Sequence, residues 1–488
     1  MAVITSPWFV AFCVHAQGVA GVAAEPGVTT ISVDVSVGRD VPRFGFGNEL
    51  VLQSTNDSKV AAALKGSGGT ITRYPGGTPS DYWKWDQGWI SPNSPCSESM
   101  KCTTGNYPER QTTPAQWRSF LDKSAITDSV LDLCQMTCNL TYELAGLRAH
   151  AAAGTPIKFV ELGNEMYDST RADVMAKYPQ PRDYADAMLP WIDAIKKEWP
   201  EAQVALVGER WNEYHNPRED AWNEQVLQSS AGAKADAATL HIYCGWDSHA
   251  NASTDANIAS HLAVAATRSF SNGDNFRKTI PSHMRIWVTE MGVYPAGPLD
   301  GTWLHALFYA AMDMQLPAAL PTLDVLTPYC FMCGDPTASG FTTAEFGSVI
   351  PPAEAGKVPI LRTPAGEAQS MLFAVLASAK KMTPLIFTPN PPLAASEPRS
   401  RQLVGWKLDG SAASMVVLNQ GQAQAVRLGS TVCKVECLHA ANQADVTRSG
   451  LLASELVRSF PSPAAGVVPL PAYSLCLAKQ CSNDDVYV

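Results

Sequence analysis

Two glutamates end apolar stretches of this chain, and a pair of carboxyl groups can hydrolyse a glycosidic bond. Glu165 ends a run that begins near Ile157, and Glu290 ends another that begins near Arg285. In such a pair one carboxylic acid protonates the leaving oxygen, while the other carboxylate attacks the anomeric carbon or activates water. Barrel enzymes keep their catalytic groups at the carboxyl ends of their strands. The two glutamates therefore predict acid–base chemistry at the mouth of a barrel.

Tryptophans follow two of the predicted strands. Trp83, Trp85 and Trp89 lie within seven positions, and Trp246 stands further along the chain. An aromatic face in a loop at the barrel mouth could stack on a sugar ring, or it could pack in the core of its own loop. Both interpretations of Trp83 and Trp246 stay open at this stage.

The elements that must position these residues alternate between apolar strand runs and helical stretches, from Arg43 to about residue 380. Helical periodicity is clearest over Tyr184–Trp199, Trp303–Met314 and Glu367–Lys380. The strand candidates are Phe44–Asn48, Thr70–Tyr74, Cys134–Leu140, Ile157–Glu165, Gln203–Gly208, Ala238–Tyr243, Arg285–Glu290 and Val325–Phe331. This α/β pattern predicts a (β/α)8 TIM barrel, with Glu165 on the fourth strand and Glu290 on the seventh.

A different pattern follows the Pro-rich break at Pro384–Pro392. Short strands are predicted at Leu403–Leu408, Ala413–Asn419, Ala425–Leu428, Val432–Leu438 and Ser474–Ala478. They indicate an additional C-terminal β-sandwich domain, which the alternating stretch Thr30–Val37 would complete. The predicted division is residues 1–24 for a signal peptide, 40–382 for the catalytic barrel, and 28–38 plus 385–488 for the sandwich.

The strand-end motifs resemble those of the clan A glycoside hydrolases, nearest to the alpha-L-arabinofuranosidase-like members of families 51, 39 and 79. Asn164-Glu165 matches the clan's Asn-Glu at the end of strand four, and Glu290 matches its nucleophile at the end of strand seven. The resemblance implies that Glu165 is the acid/base, Glu290 the nucleophile and Asn164 a donor to the sugar 2-hydroxyl. The clan's mechanism retains configuration, which requires carboxyl groups about 5–5.5 Å apart.

Two further motifs extend the resemblance. Arg73 opens an Arg-x-Pro-Gly-Gly stretch, which implies that it orients a catalytic carboxylate, and an ordinary salt bridge is the alternative. His241-x-Tyr243 resembles the clan's His-x-Tyr, which implies that Tyr243 bonds Glu290 and that His241 faces the pocket. A satisfied core histidine is the alternative for His241. The chain departs from these relatives at Thr78, where they usually carry Asn, and at Thr289-Glu290-Met291, where they usually carry Asp-Glu-Trp.

Composition and charge agree with a folded chain that binds a neutral polar ligand. Hydrophobic residues make up 46% and charged residues 17%, which allows a sizeable core. The net charge is −10 and the sequence holds no dense Lys/Arg cluster, so nucleic acid is not an expected partner. Beyond the N-terminal stretch, no apolar run reaches the roughly 18 residues of a membrane span. The oligomeric state is left open.

The N-terminus resembles a secretion signal. Residues Trp8–Ala24 are mostly apolar or small and precede Glu25, although no Lys or Arg comes before Arg39. Sequons at Asn56, Asn139 and Asn251 agree with a secreted, extracellular or lumenal glycoprotein. A structural or substrate-facing role is an equal alternative for Asn139.

Cysteine usage gives mixed predictions. Two pairs are candidate disulfides, Cys96 with Cys102 and Cys476 with Cys481. Cys134 and Cys138 would lie ~13 Å apart on one strand at ~3.3 Å per residue. This exceeds the roughly 7 Å Cα reach of a disulfide, so no bridge is expected between them. Cys330 and Cys333 have no second CxxC to complete a zinc site.

These features together predict a secreted retaining O-glycoside hydrolase that acts on a plant- or algal-type oligo- or polysaccharide, with no metal and no organic cofactor. Arabinofuranoside, xyloside, glucuronide and β-glucan substrates all stay open. The first alternative is an inactive barrel that binds carbohydrate. The second is a metal-dependent hydrolase that uses His241 and the two carboxylates.

Overall fold

The computed structural model of the chain describes residues 28–33, 35–47, 55, 58–91, 111–209, 216–244, 255–293, 301–329, 341–343, 360–393, 399–411, 415–428, 432–448, 451, 453–463 and 467–480. The strands in these ranges are β1 (Val28–Val33), β2 (Arg39–Asp40), β3 (Arg43–Phe46), β4 (Ile71–Tyr74), β5 (Trp83–Lys84), β6 (Trp89–Ile90), β7 (Asp128–Asp132), β8 (Phe159–Glu161), β9 (Gln203–Val207), β10 (Ala237–Cys244), β11 (Arg285–Val293), β12 (Leu323–Leu326), β13 (Phe341–Thr343), β14 (Ile360–Arg362), β15 (Lys381–Thr388), β16 (Leu403–Asp409), β17 (Met415–Asn419), β18 (Gln424–Arg427), β19 (Val432–His439), β20 (Val457–Ser459), β21 (Val467–Leu470) and β22 (Ser474–Gln480). The helices are α1 (Ser58–Lys65), α2 (Pro114–Ser124), α3 (Leu140–Ala152), α4 (Ala172–Lys177), α5 (Pro181–Glu198), α6 (Pro217–Asp220), α7 (Trp222–Leu227), α8 (Asp255–Thr279), α9 (Trp303–Ala319), α10 (Pro364–Leu376) and α11 (Gln443–Val446).

Eight parallel strands close into a barrel in the order β3, β4, β7, β8, β9, β10, β11 and β12. The predicted (β/α)8 barrel is therefore confirmed, and β8 and β11 are its fourth and seventh strands. Helices α5, α9 and α10 overlap the stretches in which helical periodicity was clearest. Within the described residues, no helix combines the length and the apolarity that a membrane crossing requires.

The third barrel strand lies upstream of the prediction. The sequence favoured Cys134–Leu140, but β7 is Asp128–Asp132, a short strand whose acidic ends conceal its apolar centre. Residues 133–139 form a loop, and Asn139 then caps α3 by accepting a hydrogen bond from the Tyr142 backbone N–H at 3.0 Å. This capping favours the structural interpretation of Asn139.

The loop after β7 also corrects a cysteine prediction. Cys134 and Cys138 form a disulfide with their Cα atoms 5.5 Å apart. The expectation of no bridge was wrong because it placed both residues on one extended strand, whereas the folded-back loop brings them within reach. The suggested partner of Cys476 was wrong as well, since Cys476 bridges Cys437. The candidate pair Cys96 with Cys102, together with Cys330, Cys333 and Cys481, lies outside the described residues.

The barrel interior is built in layers. An apolar plug takes one side chain from each of seven strands: Ile71, Val130, Phe159, Ala205, Ala237, Trp287 and Val325. Because side chains on a strand alternate between faces, residues two positions further on point to the same interior. Six of these seven positions carry buried polar residues: Arg73, Asp132, Glu161, Thr239, Thr289 and Thr327. A polar layer therefore rests on an apolar floor, near the carboxyl ends of the strands.

A β-bulge in the pairing of β10 with β11 shapes this polar layer. Leu240 pairs with Val288, but the next residue, His241, pairs with Glu290. Thr289 is thus the extra residue, and a bulge of this kind re-aims the side chains around it. As a result, the consecutive side chains of Thr289 and Glu290 both contact barrel-mouth groups, although neighbours on a regular strand point to opposite faces.

The C-terminal domain is a mixed sheet that folds into two layers around β15. In β15, Lys381–Pro384 pairs with β16, and Leu385–Thr388 pairs with β1. The Pro-rich stretch was predicted to be a break, but its first part is this strand. Pro384 stands where β15 changes partners, a position that tolerates the missing N–H. The N-terminal strand β1 lies between β15 and β18 in this sheet.

Apolar side chains from both layers form one core, which confirms the predicted sandwich. Leu385 and Phe387 of β15 pack with Val426, Val468 and their neighbours in this cluster. Cys437 of β19 lies directly opposite Cys476 of β22, and the two sulfurs are bonded inside the same core.

We expect the Cys437–Cys476 bridge to contribute more to stability than the Cys134–Cys138 bridge. The first closes a span of 39 residues and the second a span of 4. Loop-closure entropy predicts a loss of about 4 kcal/mol for Cys437→Ala/Cys476→Ala and about 2 kcal/mol for Cys134→Ala/Cys138→Ala. Urea unfolding of both double variants measures the order. Equal losses, or a larger loss for the short loop, would contradict the expectation.

Candidate active site

Arg73 is fully buried at the centre of the barrel mouth and contacts carboxylates on three sides. Its Nε donates to Glu161 Oε2 at 2.7 Å, and one terminal nitrogen donates to Glu290 Oε1 at 2.7 Å. The other terminal nitrogen forms an ion pair with Asp132 Oδ2 at 2.8 Å and donates to Asn164 Oδ1 at 3.0 Å. The guanidinium therefore fixes four side chains from four barrel segments.

The charges around Arg73 compensate one another in a dry environment. Burial disfavours the guanidinium charge, but the surrounding carboxylates outweigh burial and raise the pKa of Arg73 above its ordinary value. Burial raises the pKa of Asp132 well above its usual range, although Arg73 opposes that shift. Burial therefore favours the protonated form of Asp132.

Glu290 is oriented by a hydrogen-bond donor on each oxygen. Arg73 binds Oε1, and the Tyr243 hydroxyl donates to Oε2 at 2.5 Å. Burial, followed by the charge of Glu290, raises the pKa of Tyr243 well above its ordinary value, so the hydroxyl keeps its proton. The Glu290 side chain is 5% exposed. Donors on both oxygens therefore hold the Glu290 carboxyl group in one orientation.

Glu165 was predicted to be the last residue of its strand, but it lies in the loop after that strand. Strand β8 stops at Glu161, and the chain then turns through Gly163 at φ 92° and Glu165 at φ 49°. Glu165 Oε1 accepts a hydrogen bond from the Tyr167 hydroxyl at 2.9 Å and lies 2.9 Å from His241 Nδ1. Its side chain is 23% exposed, so it is the more solvent-accessible of the two glutamates.

The two glutamates meet beside His241. A carboxylate oxygen from each glutamate and a ring nitrogen of His241 all lie within 4.8 Å of one another. With one oxygen of each carboxyl group at most 4.8 Å from the other, the pair is compatible with the ~5–5.5 Å separation that retaining enzymes use. Burial lowers the pKa of His241, but Glu290 and Glu165 outweigh burial and hold it above its ordinary value. The other ring nitrogen lies 3.2 Å from the Thr289 hydroxyl.

The same three groups offer enough ligand atoms to be tested as a metal site. Their hydrogen bonds disfavour a dication. Arg73 already places a positive charge 2.7 Å from Glu290, and Tyr243 occupies the other oxygen of that carboxylate. A metal ion would have to displace these donors and approach a buried guanidinium. The donor set therefore fits a hydrogen-bonded carboxylate pair better than a metal centre.

Asn164 is buried next to Glu165. Its side-chain oxygen accepts from Arg73, and its amide nitrogen lies 3.5 Å from the Thr78 hydroxyl. The amide therefore points toward Thr78, the position at which the chain departs from the relatives it resembles.

Of the two candidate tryptophans, only Trp83 lies in the described residues, and it is packed in the core. Trp83 is 3% exposed, donates to the Tyr74 hydroxyl at 3.0 Å and packs against Trp89. The packing alternative therefore holds for Trp83, because a ring this buried has no free face for direct stacking on a sugar. Trp246 lies outside the described residues.

The sequence did not predict three residues that surround Arg73 in the site. Asp132, Glu161 and Thr289 all contact Arg73 or its partners. Period-two counting from Val130 and Phe159 would have pointed Asp132 and Glu161 into the barrel. The misplaced third strand hid Asp132, and Glu161 was taken as an interior residue of a longer strand.

Solved structures of similar architecture span nearly the whole chain. A family 51 alpha-L-arabinofuranosidase from Bifidobacterium longum has a TM-score of 0.71 at 15% identity, with 94% of this chain and 100% of that chain covered. This chain has the arabinofuranosidase fold. A GH51 arabinofuranosidase from Xanthomonas axonopodis pv. citri reaches 0.67 at 15% identity, covering 93% of this chain and 100% of its own.

The arabinofuranosidase fold extends to another sugar specificity. A 4-O-alpha-L-rhamnosyl-beta-D-glucuronidase from Fusarium oxysporum has a TM-score of 0.62 at 14% identity, with 92% of this chain and 100% of that chain covered. No protein-family model matches the sequence, and no curated protein matches it. At these identities the likeness establishes the fold, and the chemistry must be argued from the site.

Replacing the central guanidinium should destabilise the fold in a pH-dependent way. Arg73→Gln leaves Asp132, Glu161 and Glu290 buried without a cation, which should cost about 3–5 kcal/mol of unfolding free energy near neutral pH. The loss should shrink as the pH falls toward about 4, because protonation removes the buried negative charge that Arg73 no longer compensates.

A matched control is Arg43→Gln at the other end of the barrel. Arg43 is 39% exposed and holds ion pairs with Asp128 and Asp324. Surface pairs of this kind contribute about 0–1 kcal/mol. Chemical unfolding at several pH values measures both variants, and a similar, pH-independent loss for the two would refute the central role of Arg73.

Proposed function

We propose that this chain is a retaining O-glycoside hydrolase in which Glu290 is the nucleophile and Glu165 the acid/base. The observation that carries the proposal is the carboxylate pair within 4.8 Å at the mouth of a barrel with the arabinofuranosidase fold. Glycosidases that retain configuration need two carboxyl groups at this short separation. An inactive binding barrel has no need to keep both.

The unequal surroundings of the two glutamates support their different roles. Arg73 and Tyr243 donate to both oxygens of Glu290, which suits a carboxylate that attacks the anomeric carbon. Glu165 is more exposed, and it is placed to protonate the departing oxygen of a substrate in the cleft. Once that oxygen has left, the ionised Glu165 takes a proton from water, and the water hydrolyses the glycosyl–Glu290 ester.

Among the sugars left open, an α-L-arabinofuranoside is the first choice. Family 51 arabinofuranosidases are among the solved structures with this fold, at TM-scores of 0.71 and 0.67. The rhamnosyl-glucuronidase has the same fold at a TM-score of 0.62, and a beta-xylosidase from Caulobacter crescentus reaches 0.51. A panel of aryl α-L-arabinofuranosides, β-D-xylosides, β-D-glucuronides and β-D-glucosides distinguishes these possibilities.

Covalent trapping tests the mechanism directly. We expect an activated 2-fluoro glycoside of the preferred sugar to inactivate the enzyme and to label the peptide that contains Glu290, as measured by mass spectrometry. Glu290→Gln should take no label. Glu165→Gln should lower kcat/KM for a substrate with a poor leaving group by about 10²–10⁴-fold, the usual contribution of general acid catalysis.

Two other results would favour the alternatives. The absence of both label and turnover over the whole panel would indicate a binding barrel. Loss of turnover with a chelator, and its return with one divalent ion, would indicate a metal-dependent hydrolase.

We also propose that the protein is secreted after removal of residues 1–24. The Cys134–Cys138 and Cys437–Cys476 disulfides support an oxidising compartment. Expression of the full chain in a secreting eukaryotic host should yield protein in the medium that begins at Glu25, as read by N-terminal sequencing. Retention of the intact N-terminus inside the cells would refute the proposal.

A further inference from the structure

Glu165 stands in a backbone conformation that needs external support. Its φ of 49° lies in the left-handed region, and Gly163 two residues earlier has a φ of 92°. A side chain other than glycine persists there only when its surroundings fix the backbone. The local turn supplies one hydrogen bond, from the Asp168 N–H to the Glu165 carbonyl at 2.9 Å. The remaining support must come from outside the turn.

The Asp81–Arg171 pair supplies that support on the upstream side. Asp81 Oδ1 accepts from the Asn164 backbone N–H at 3.1 Å, and Asp81 Oδ2 accepts from Arg171 at 2.7 Å. The same nitrogen of Arg171 donates to the Asn164 carbonyl at 3.2 Å. The pair therefore binds both backbone polar groups of Asn164, the residue that precedes Glu165.

Burial makes this clamp rigid. Asp81 is fully buried, and the Arg171 side chain is 9% exposed. Arg171 also donates to the Tyr82 hydroxyl at 3.1 Å, next to Asp81 in the chain. The downstream side of the turn is held separately, since Arg218 donates to the Met166 carbonyl at 2.8 Å.

One short segment of the chain contacts the surroundings of both glutamates. The strand β4 carries Arg73, which orients Glu290, and the short 3-10 helix Thr78–Tyr82 that follows β4 carries Asp81. The stretch from Arg73 to Asp81 thus positions both carboxyl groups. Arg73 binds Glu290, and Asp81 binds the backbone next to Glu165.

We propose that Asp81 and Arg171 are positioning residues for the acid/base: by clamping the Asn164 peptide they set the reach of the Glu165 carboxyl toward the leaving oxygen. The inference rests on the proposed function. Loosening the clamp would misplace Glu165 while Glu290 keeps its own donors, so it should impair protonation of the leaving group and spare nucleophilic attack.

Leaving-group dependence tests the inference, because general destabilisation would not produce it. Phenyl and 2,4-dinitrophenyl α-L-arabinofuranosides, or the same aryl pair on the sugar that the panel selects, differ in their need for an acid. For Asp81→Asn we expect kcat/KM on the phenyl glycoside to fall about 100-fold, the usual effect of a ~1 Å misplacement. On the dinitrophenyl glycoside kcat/KM should change less than about threefold, because that group leaves without a proton.

Azide and a second variant complete the test. Added azide should raise kcat of Asp81→Asn on the dinitrophenyl glycoside, since it needs no base to attack the glycosyl-enzyme. Arg171→Lys keeps the charge but not the paired contacts, and it should show the same pattern with a smaller loss. It also keeps the inference testable if Asp81→Asn does not fold.

Two controls separate the possible failures. Asp324→Asn removes an ion pair with Arg43 at the far end of the barrel, and it should leave both kcat/KM values unchanged. Glu165→Ala is the benchmark for a missing acid. If Glu165→Ala shows no leaving-group difference, the proposed function fails. If it does, but folded Asp81→Asn and Arg171→Lys lose activity equally on both glycosides or lose none, only the positioning role is overturned.

Discussion

A single buried guanidinium determines how the barrel mouth is organised. Arg73 binds Asp132, Glu161 and Glu290 in a buried layer, where its positive charge is compensated by the carboxyl groups around it. A buried cation and its carboxylates compensate one another, whereas any one of them alone would be strongly destabilising. The polar layer is therefore stable only as a unit, and the apolar plug beneath it keeps that unit at a fixed height in the barrel.

The two glutamates acquire different properties because they stand on different kinds of backbone. Glu290 belongs to β11 and inherits the rigidity of a barrel strand, with a β-bulge beside His241 to aim it. Glu165 stands four residues beyond β8, in a left-handed turn that depends on contacts from other segments. The first carboxylate is enclosed by donors, and the second keeps contact with solvent. This difference in surroundings agrees with the different roles proposed for the two glutamates.

Much of the fold followed from local patterns. Strands whose apolar centres are long or strongly alternating, such as β9, β11 and β16, were located within a few residues, because burial of one or both faces dictates their composition. The misses have a common cause. β7 is a short strand with an aspartate at each end, and β15 contains Pro384. Because Asp and Pro are typical of turns, the local sequence does not predict a strand in either case. Pairing with neighbours on both sides overrides that local signal.

The sequence by itself singled out Glu165, Glu290, Arg73, His241 and Tyr243 as site candidates, because they stand near predicted strand ends and match short motifs of the family that the chain resembles. Only the tertiary structure decided which of them touch. Arg73 could reach any of several carboxylates, and the closure of the barrel selected Asp132, Glu161 and Glu290. Asp81 and Arg171 carry no sequence signal at all, because a buried ion pair is specified by two segments that meet in space, about 90 positions apart.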